Sequence, residues 1–441
     1  MMLIKNATII NEGKHYQANV LIEGERIRSI SPELPAQIPQ QIIDATGLLL
    51  LPGIIDDQVH FREPGLTHKG DIHSESRAAI AGGVTSFMDM PNTLPQTTTV
   101  EALNDKFALA QRESLANYSL FIGATNDNAD ELKKQGAHRA AAIKVFMGSS
   151  TGNMLVDNPV TLERLFSENK AIIAAHCESE AIIRANKEKF VAEFGENLDI
   201  SFHSKIRSNQ ACYASSKEAV TLAKKYDARL HLFHLSTAEE MNLLENKPIK
   251  NKRITAEVCV HHLWFSDEDY ARLGNRIKWN PAIKSKADRD ALRQALIDGK
   301  LDVVATDHAP HIWEEKQGSC LKAASGGPMV QHSLTVMLEL CRQGVFTPEL
   351  VVEKMAHAPA ELFGLKDRGY IREGYYADLV LVNPHQSWTV TKDNLLYKCA
   401  WSPLEGTTFS HQVVKTFVNG SLVYDNGVFD ERFRGKELEI K

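Results

Sequence analysis

The chain is poor in the features that mark several large protein classes. Only six cysteines are scattered over 441 residues, at positions 177, 212, 259, 320, 341 and 399. So thin a scatter provides no disulfide framework and fits a reducing compartment. No apolar run could span a bilayer, and Met1 to Ile10 lack a charged segment followed by an apolar one. Charge of one sign is also missing: 50 Lys and Arg face 56 Asp and Glu, a net of -6. That leaves no basic footprint for nucleic acid and no polybasic membrane signal, so an anionic ligand must be held by local arginines or a metal. No Gly-x-Gly-x-x-Gly follows the first strand of the middle region, which removes support for a dinucleotide fold. The expectation is a cytoplasmic enzyme with a small-molecule substrate, without nucleic acid or membrane partners.

The bulk composition is ordinary for a globular protein, 43% hydrophobic and 24% charged. The length predicts one large domain plus a smaller one. Residues 1–50 carry short apolar runs, Thr8-Ile9-Ile10 and Val20-Leu21-Ile22, separated by Gly-centred turns. Residues 368–441 repeat this texture, with Ala377 to Val382 as a strand and Lys415 to Tyr424 as an Asn-Gly hairpin. Two β-rich ends around a different middle predict one small β-sandwich built from both termini.

The middle, residues 51–367, alternates apolar runs with helix-like segments such as Val100 to Ala116, Ser204 to Lys225 and Ala287 to Asp298. The runs begin with the stretch Leu50 to Gly65 and continue through segments near 84, 118, 141, 171, 229, 254 and 301, making eight. Near-continuous apolar strands mark a parallel sheet covered on both faces, and eight is the number a TIM (β/α)8 barrel requires.

Polar residues close these strands. His60 ends the first, Lys144 lies on the fourth, His176 and His234 end the fifth and sixth, and Asp307 follows the eighth. Alone, each histidine reads equally as a core side chain. Together at the converging strand ends, three imidazoles and a carboxylate form a ligand set for a transition metal, Zn2+ first. An ammonium beside a divalent ion would be repelled, so Lys144 makes sense as an N-carboxylated lysine bridging one or two ions; the competing reading is a salt-bridge lysine. Strand alternation places Asp56, Gln58 and His60 on one side and Asp57 on the other.

Pro52-Gly53 through His60-Phe61-Arg62-Glu63-Pro64-Gly65, Met90-Pro91-Asn92-Thr93, Asn280-Pro281 and Thr306-Asp307-His308-Ala309-Pro310-His311 resemble the dihydroorotase family, cyclic amidases of the amidohydrolase superfamily. The likeness spans nearly the whole chain. It implies reversible cyclisation of N-carbamoyl-L-aspartate to dihydroorotate in de novo pyrimidine biosynthesis, with metal-bound hydroxide as nucleophile and Asp307 as general acid and base. It also implies that Arg62 and Asn92 hold the substrate carboxylate, that Asn280 and His311 make further contacts, and that the backbone of 323–328 touches the ring. A homodimer, and association with aspartate transcarbamoylase, are implied partners. One position departs: Gln58 stands where the family pattern has the first histidine of His-x-His. Gln58 then coordinates weakly, or the deeper ion has fewer ligands, or one ion is held. This departure also supports a non-catalytic scaffold for aspartate transcarbamoylase as the alternative. Another cyclic amidase, of hydantoinase or allantoinase type, is a further alternative. The charged segment 312–322, with Trp313 and Cys320, reads as a lid or as a surface connection, and His262 as structural.

Overall fold

The two strand-rich ends of the chain meet in one nine-stranded sheet. In the computed structural model, which describes residues 1–37, 39–148 and 154–441, its order runs Val428–Phe429, Ser421–Asp425, Gln412–Val418, Leu379–Asn383, Leu49–Pro52, Met2–Asn11, Lys14–Glu23, Arg26–Ser31, with Gln41–Asp44 also paired to Met2–Asn11. Ile4, Ile9, Val20 and Ile22 from the first end share one buried cluster with Leu379, Leu381 and Phe417 from the last. The sheet closes over that shared core because the inward residues of each strand recur at every second position. Leu49–Pro52 is the junction, parallel to Met2–Asn11 and antiparallel to Leu379–Asn383.

Immediately after it, Gly53 turns the chain into the middle region. A Cβ at Gly53 would lie 2.1 Å from Thr85 Oγ1, so only glycine permits this approach. The parallel strands that follow are Ile54–Val59, Val84–Asp89 and Asn117–Leu120 in one sheet. Ile122–Gly123, Ile143–Phe146, Ile173–His176, Leu230–Leu232, Ile254–Cys259 and Val303–Ala305 form the other. Residues 117–123 serve both sheets, interrupted only at Phe121. At the far edge Val59 bridges in parallel to His308, and the His60 amide donates to the His308 carbonyl at 2.7 Å. The circuit of pairings therefore returns to the strand where it began. Side chains that leave the strand ends on successive segments point into one common space.

Helices lie between the strands. Val100–Glu113 starts where the Thr99 hydroxyl accepts from the Ala102 amide, and Lys286–Ile297 where Ser285 accepts from Asp288. The single helix expected over 204–225 is two, His203–Ile206 and Asn209–Tyr226. Ser208 is extended between them and caps the second through the Ala211 amide. Among the described residues no helix is long and apolar enough to cross a membrane.

Candidate active site

One cavity of about 450 Å³ opens at the ends of the parallel strands. Every residue singled out for chemistry lines it: His60, Arg62, Asn92, Lys144, His176, His234, Asn280, Asp307 and His311, together with Gln58 and the backbone stretch Ala324, Ser325 and Gly326. The local backbone explains how. His60 directly follows Val59, while His234 and Asp307 each sit two residues beyond their strands, at φ 38° and 43°. Leaving the pleat in a left-handed turn swings each side chain over the strand end instead of along it.

The expected ligands meet as two pairs. His60 Nε2 lies 3.1 Å from Asp307 Oδ1, and His176 Nδ1 lies 2.9 Å from His234 Nε2. Burial lowers the pKa of His60, His176 and His234, and the Lys144 charge acts on all three in the same direction. Lys144 is thus within electrostatic reach of both pairs. It is 1% exposed and makes no hydrogen bond or ion pair among the described residues; its amine lies over the Phe233 ring at 4.0 Å. Burial pushes its pKa down to about 8, so roughly a tenth of the amine is neutral at pH 7, far more than for a free lysine. The salt-bridge reading of Lys144 finds no partner.

Tautomers follow from the outer contacts. Nδ1–H of His60 donates to Asn92 Oδ1 at 2.7 Å, which leaves a lone pair on Nε2 facing Asp307. Nε2–H of His176 donates to Glu178 at 3.0 Å, which leaves a lone pair on Nδ1 facing His234. Glu178 is itself buried, yet Arg207 and His176 hold its carboxyl well below the usual range. An ionised carboxylate behind an imidazole fixes the ring and raises its basicity as a ligand. A lone pair turned toward a carboxylate, as on His60, is repelled unless a cation lies between them. The donor set of imidazoles and carboxylate therefore fits a divalent transition metal. Glu178 was not singled out from the sequence, although its place two residues after His176 was the available signal.

Another side of the cavity is built around Arg62, 7% exposed with φ 69°. Its Nε donates to the Pro310 carbonyl at 3.0 Å and its Nη2 to His311 Nε2 at 3.1 Å. Glu63 is not its partner; that carboxylate accepts from the Ile72 amide at 3.0 Å. His311 gives its Nδ1–H to Glu315 at 2.6 Å, and Glu315 also pairs with Lys69 at 2.8 Å. Burial, with Arg62 and Lys69 alongside, keeps His311 neutral. Both ring nitrogens are thereby committed within the wall, and the residue positions Arg62. Asn280 Oδ1 is buried with no hydrogen-bond partner among the described residues. The 312–322 segment is tied down here: Lys316 is fully buried and donates to the carbonyls of Lys278, Ala324 and Gly326 at 3.2, 2.9 and 2.8 Å. It packs behind the cavity-lining backbone of Ala324 and Gly326, with Trp313 left at the surface. His262, read as structural, donates to or accepts nothing from the cavity; its Nε2 meets the Pro281 carbonyl at 3.2 Å.

The alternation expected at the first strand is corrected. Pairing with Val84–Asp89 shifts register between Asp56 and Val59, so Asp57 does not face away. It reaches His231 at 3.3 Å. Gln58 lines the cavity but its Oε1 is 3.7 Å from the Cys259 thiol.

Comparison with known proteins agrees with this architecture. The model of the amidohydrolase family matches residues 49–423. A dihydroorotase of Methanosarcina acetivorans is 35% identical over 417 residues, 91% of this chain and 88% of the relative. A dihydroorotase of Halobacterium salinarum is 33% identical over 98% of this chain and 99% of its own length. Among solved structures, the L-hydantoinase (dihydropyrimidinase) from Arthrobacter aurescens superposes with a TM-score of 0.93 at 26% identity, covering 97% of each chain.

Proposed function

The chain belongs to the amidohydrolase family, and from that premise we propose that it is a metal-dependent dihydroorotase. It interconverts N-carbamoyl-L-aspartate and dihydroorotate in de novo pyrimidine biosynthesis. The relatives that share a third of its residues over nearly full length support this reading. We take the circuit of eight parallel strands as a TIM barrel over 51–367, and the composite sheet as a β-sandwich from 1–50 and 368–441. We take the cytoplasm as its location.

The observation that carries the substrate assignment is Arg62. Among the described residues its Nη1 and the second hydrogen of Nη2 remain uncommitted, in the same cavity as the ligand set. A guanidinium offers those donors side by side to a carboxylate. Both partners in the proposed reaction carry a carboxylate outside the reacting amide, whereas hydantoin-type rings do not. Asn92, with its oxygen taken by His60, keeps its NH2 to donate beside Arg62. Asn280 Oδ1 supplies an acceptor for a ring or ureido N–H.

His60, Lys144, His176, His234 and Asp307 would hold the metal, one or two zinc ions, with Lys144 carboxylated. The neutral amine of Lys144 adds carbon dioxide, forming an N–C bond and releasing one proton, and becomes an anionic oxygen ligand. When bound, the metal acts as a Lewis acid toward water and the ring carbonyl. Asp307 takes the proton of the attacking water and delivers it to the ring nitrogen as the C–N bond breaks. In the cyclising direction Asp307 begins protonated and the same transfers reverse.

Gln58 specifically favours a second reading, a non-catalytic scaffold that binds aspartate transcarbamoylase. The presence of every other expected ligand weighs for catalysis. A homodimer is the assembly we expect.

Arg62→Met tests the substrate assignment. Truncating a buried charged hydrogen-bond partner costs about 2–4 kcal/mol, roughly 30- to 1000-fold in kcat/KM. That loss is expected for dihydroorotate, with little change in any residual hydrolysis of uncharged hydantoin. Equal losses on both, or a wild type that prefers hydantoin, would overturn it.

A further inference from the structure

A second group of ionisable side chains lies inside the parallel-strand region and takes no part in the chemistry above. Asp57, His231 and Glu257 come from three different strands, and each is 0% exposed. One ligand-type atom from each falls within 4.8 Å of the other two. His231 Nε2 stands 3.3 Å from Asp57 Oδ2 and 3.7 Å from Glu257 Oε2. Charge-assisted N–H···O bonds run shorter, about 2.7–2.9 Å. The observed spacing instead matches the edge of a tetrahedron whose corners lie ~2.0–2.2 Å from a shared ion, roughly 3.4 Å.

Unmet bonding points the same way. Both Asp57 oxygens, Glu257 Oε2 and His231 Nε2 have no hydrogen-bond partner among the described residues, in a place closed to water. The His231 tautomer is settled by its neighbour. The Thr255 hydroxyl spends its hydrogen on the Leu230 carbonyl at 3.3 Å, so it accepts from His231 Nδ1–H at 2.9 Å. Nε2 then carries either a second proton or a lone pair.

Charge bears on both cases. Burial opposes protonation of His231, but the two carboxylates outweigh it and raise the pKa to about 9. An imidazolium against two ionised carboxylates leaves a net negative charge buried without solvent, which is costly; it is relieved by a proton on Glu257, which burial and the Asp57 charge push up to about 7, or by a dication. Two carboxylates, a neutral imidazole and a dication sum to zero.

We propose that Asp57, His231 and Glu257 bind one divalent transition-metal ion, Zn2+ first, at a site separate from the catalytic ligands. The Phe233 ring touches both regions, 4.0 Å from the Lys144 amine and 5.3 Å from the His231 ring. The other oxygen of Glu257, Oε1, accepts from the His234 amide at 3.0 Å. An ion holding Oε2 therefore fixes the backbone that presents His234 to the cavity. The site does not depend on which cyclic amide the enzyme accepts.

The test uses crystals of the full chain loaded with Zn2+ alone, with diffraction recorded on both sides of the zinc absorption edge. An anomalous peak bounded by Asp57, His231 and Glu257 is expected. No peak there overturns the proposal, whatever is bound among Lys144, His176 and His234. In solution, Asp57→Asn and Asp57→Val should each lower zinc by one ion per chain while the catalytic ligands keep theirs. An unchanged stoichiometry in a folded variant contradicts the assignment, and should neither variant fold, the wild-type anomalous map decides.

Discussion

Arg62, His234 and Asp307 all hold backbone in the left-handed region, at φ 69°, 38° and 43°. For residues other than glycine such conformations cost about 1–3 kcal/mol each and persist where neighbours over-determine them. The neighbours are visible: the Phe61 amide donates to Asp89 at 2.8 Å and the His234 amide to Glu257 at 3.0 Å. Asn tolerates this backbone well, which makes Asp307→Asn a clean chemical test. It should leave folding intact, as read by circular dichroism, and lower kcat by about 10²- to 10⁴-fold, the usual worth of a proton-transfer group. Retention of most activity would remove Asp307 from that role. At this scale the strand-end pattern singled out His60, Lys144, His176, His234 and Asp307, because polar side chains closing apolar runs are conspicuous, and the resemblance added Arg62, Asn92, Asn280 and His311; all nine line one cavity. Asp57 was misread because alternation assumes an unbroken pleat, and the register shift between Asp56 and Val59 breaks it locally while Gln58 and His60 still reach the cavity. Glu178 had only its place two residues after His176 as a signal, because its other partner, Arg207, lies far along the chain.

Among elements, the second parallel strand and its following helix carry a buried ion pair that serves the site. Lys106 and Asp89, 1% and 0% exposed, pair at 2.6 Å, and Lys106 also donates to the Met90 carbonyl at 2.7 Å. Asp89 in turn holds the Phe61 amide, one residue before Arg62. Removing one partner of a buried pair strands the other charge, at about 3–5 kcal/mol. Lys106→Met should therefore destabilise by that amount in urea unfolding and raise KM for the carboxylate substrate, and adding Asp89→Asn should restore most of the stability. A loss under about 1 kcal/mol for Lys106→Met would show that the charge is relieved elsewhere. Existence and order of the parallel strands were legible from apolar runs. Their ends were not: the run from 229 to 234 is a strand only over Leu230–Leu232. The packing of 312–322 was unreadable because its anchor, Lys316, looks like any surface lysine until three carbonyls close around it.

For the whole molecule, the two ends of the chain are locked to the middle by a polar knot. Arg368 and Asp378 form a buried ion pair, Asp378 accepts from the Asn419 amide at 2.8 Å, and Asn117 on the third parallel strand donates to Asp378 at 3.3 Å. Asp378→Ala leaves Arg368 buried without a counter-charge and should cost about 3–5 kcal/mol in the urea transition. A shift below about 1 kcal/mol would mean that the composite sheet holds without the knot. The β texture of both ends was readable and predicted that they assemble together, but which strands pair, across more than three hundred residues, is not encoded in local pattern. The central claim is that this architecture converges on a carboxylate-bearing cyclic amide. It is tested most directly by the initial rate at which the purified, zinc-loaded chain alone cyclises N-carbamoyl-L-aspartate. Turnover in the ordinary enzymatic range, about 1–10³ s⁻¹, abolished by chelation, is predicted. No cyclisation by folded protein that holds metal at His176 and His234 would contradict it.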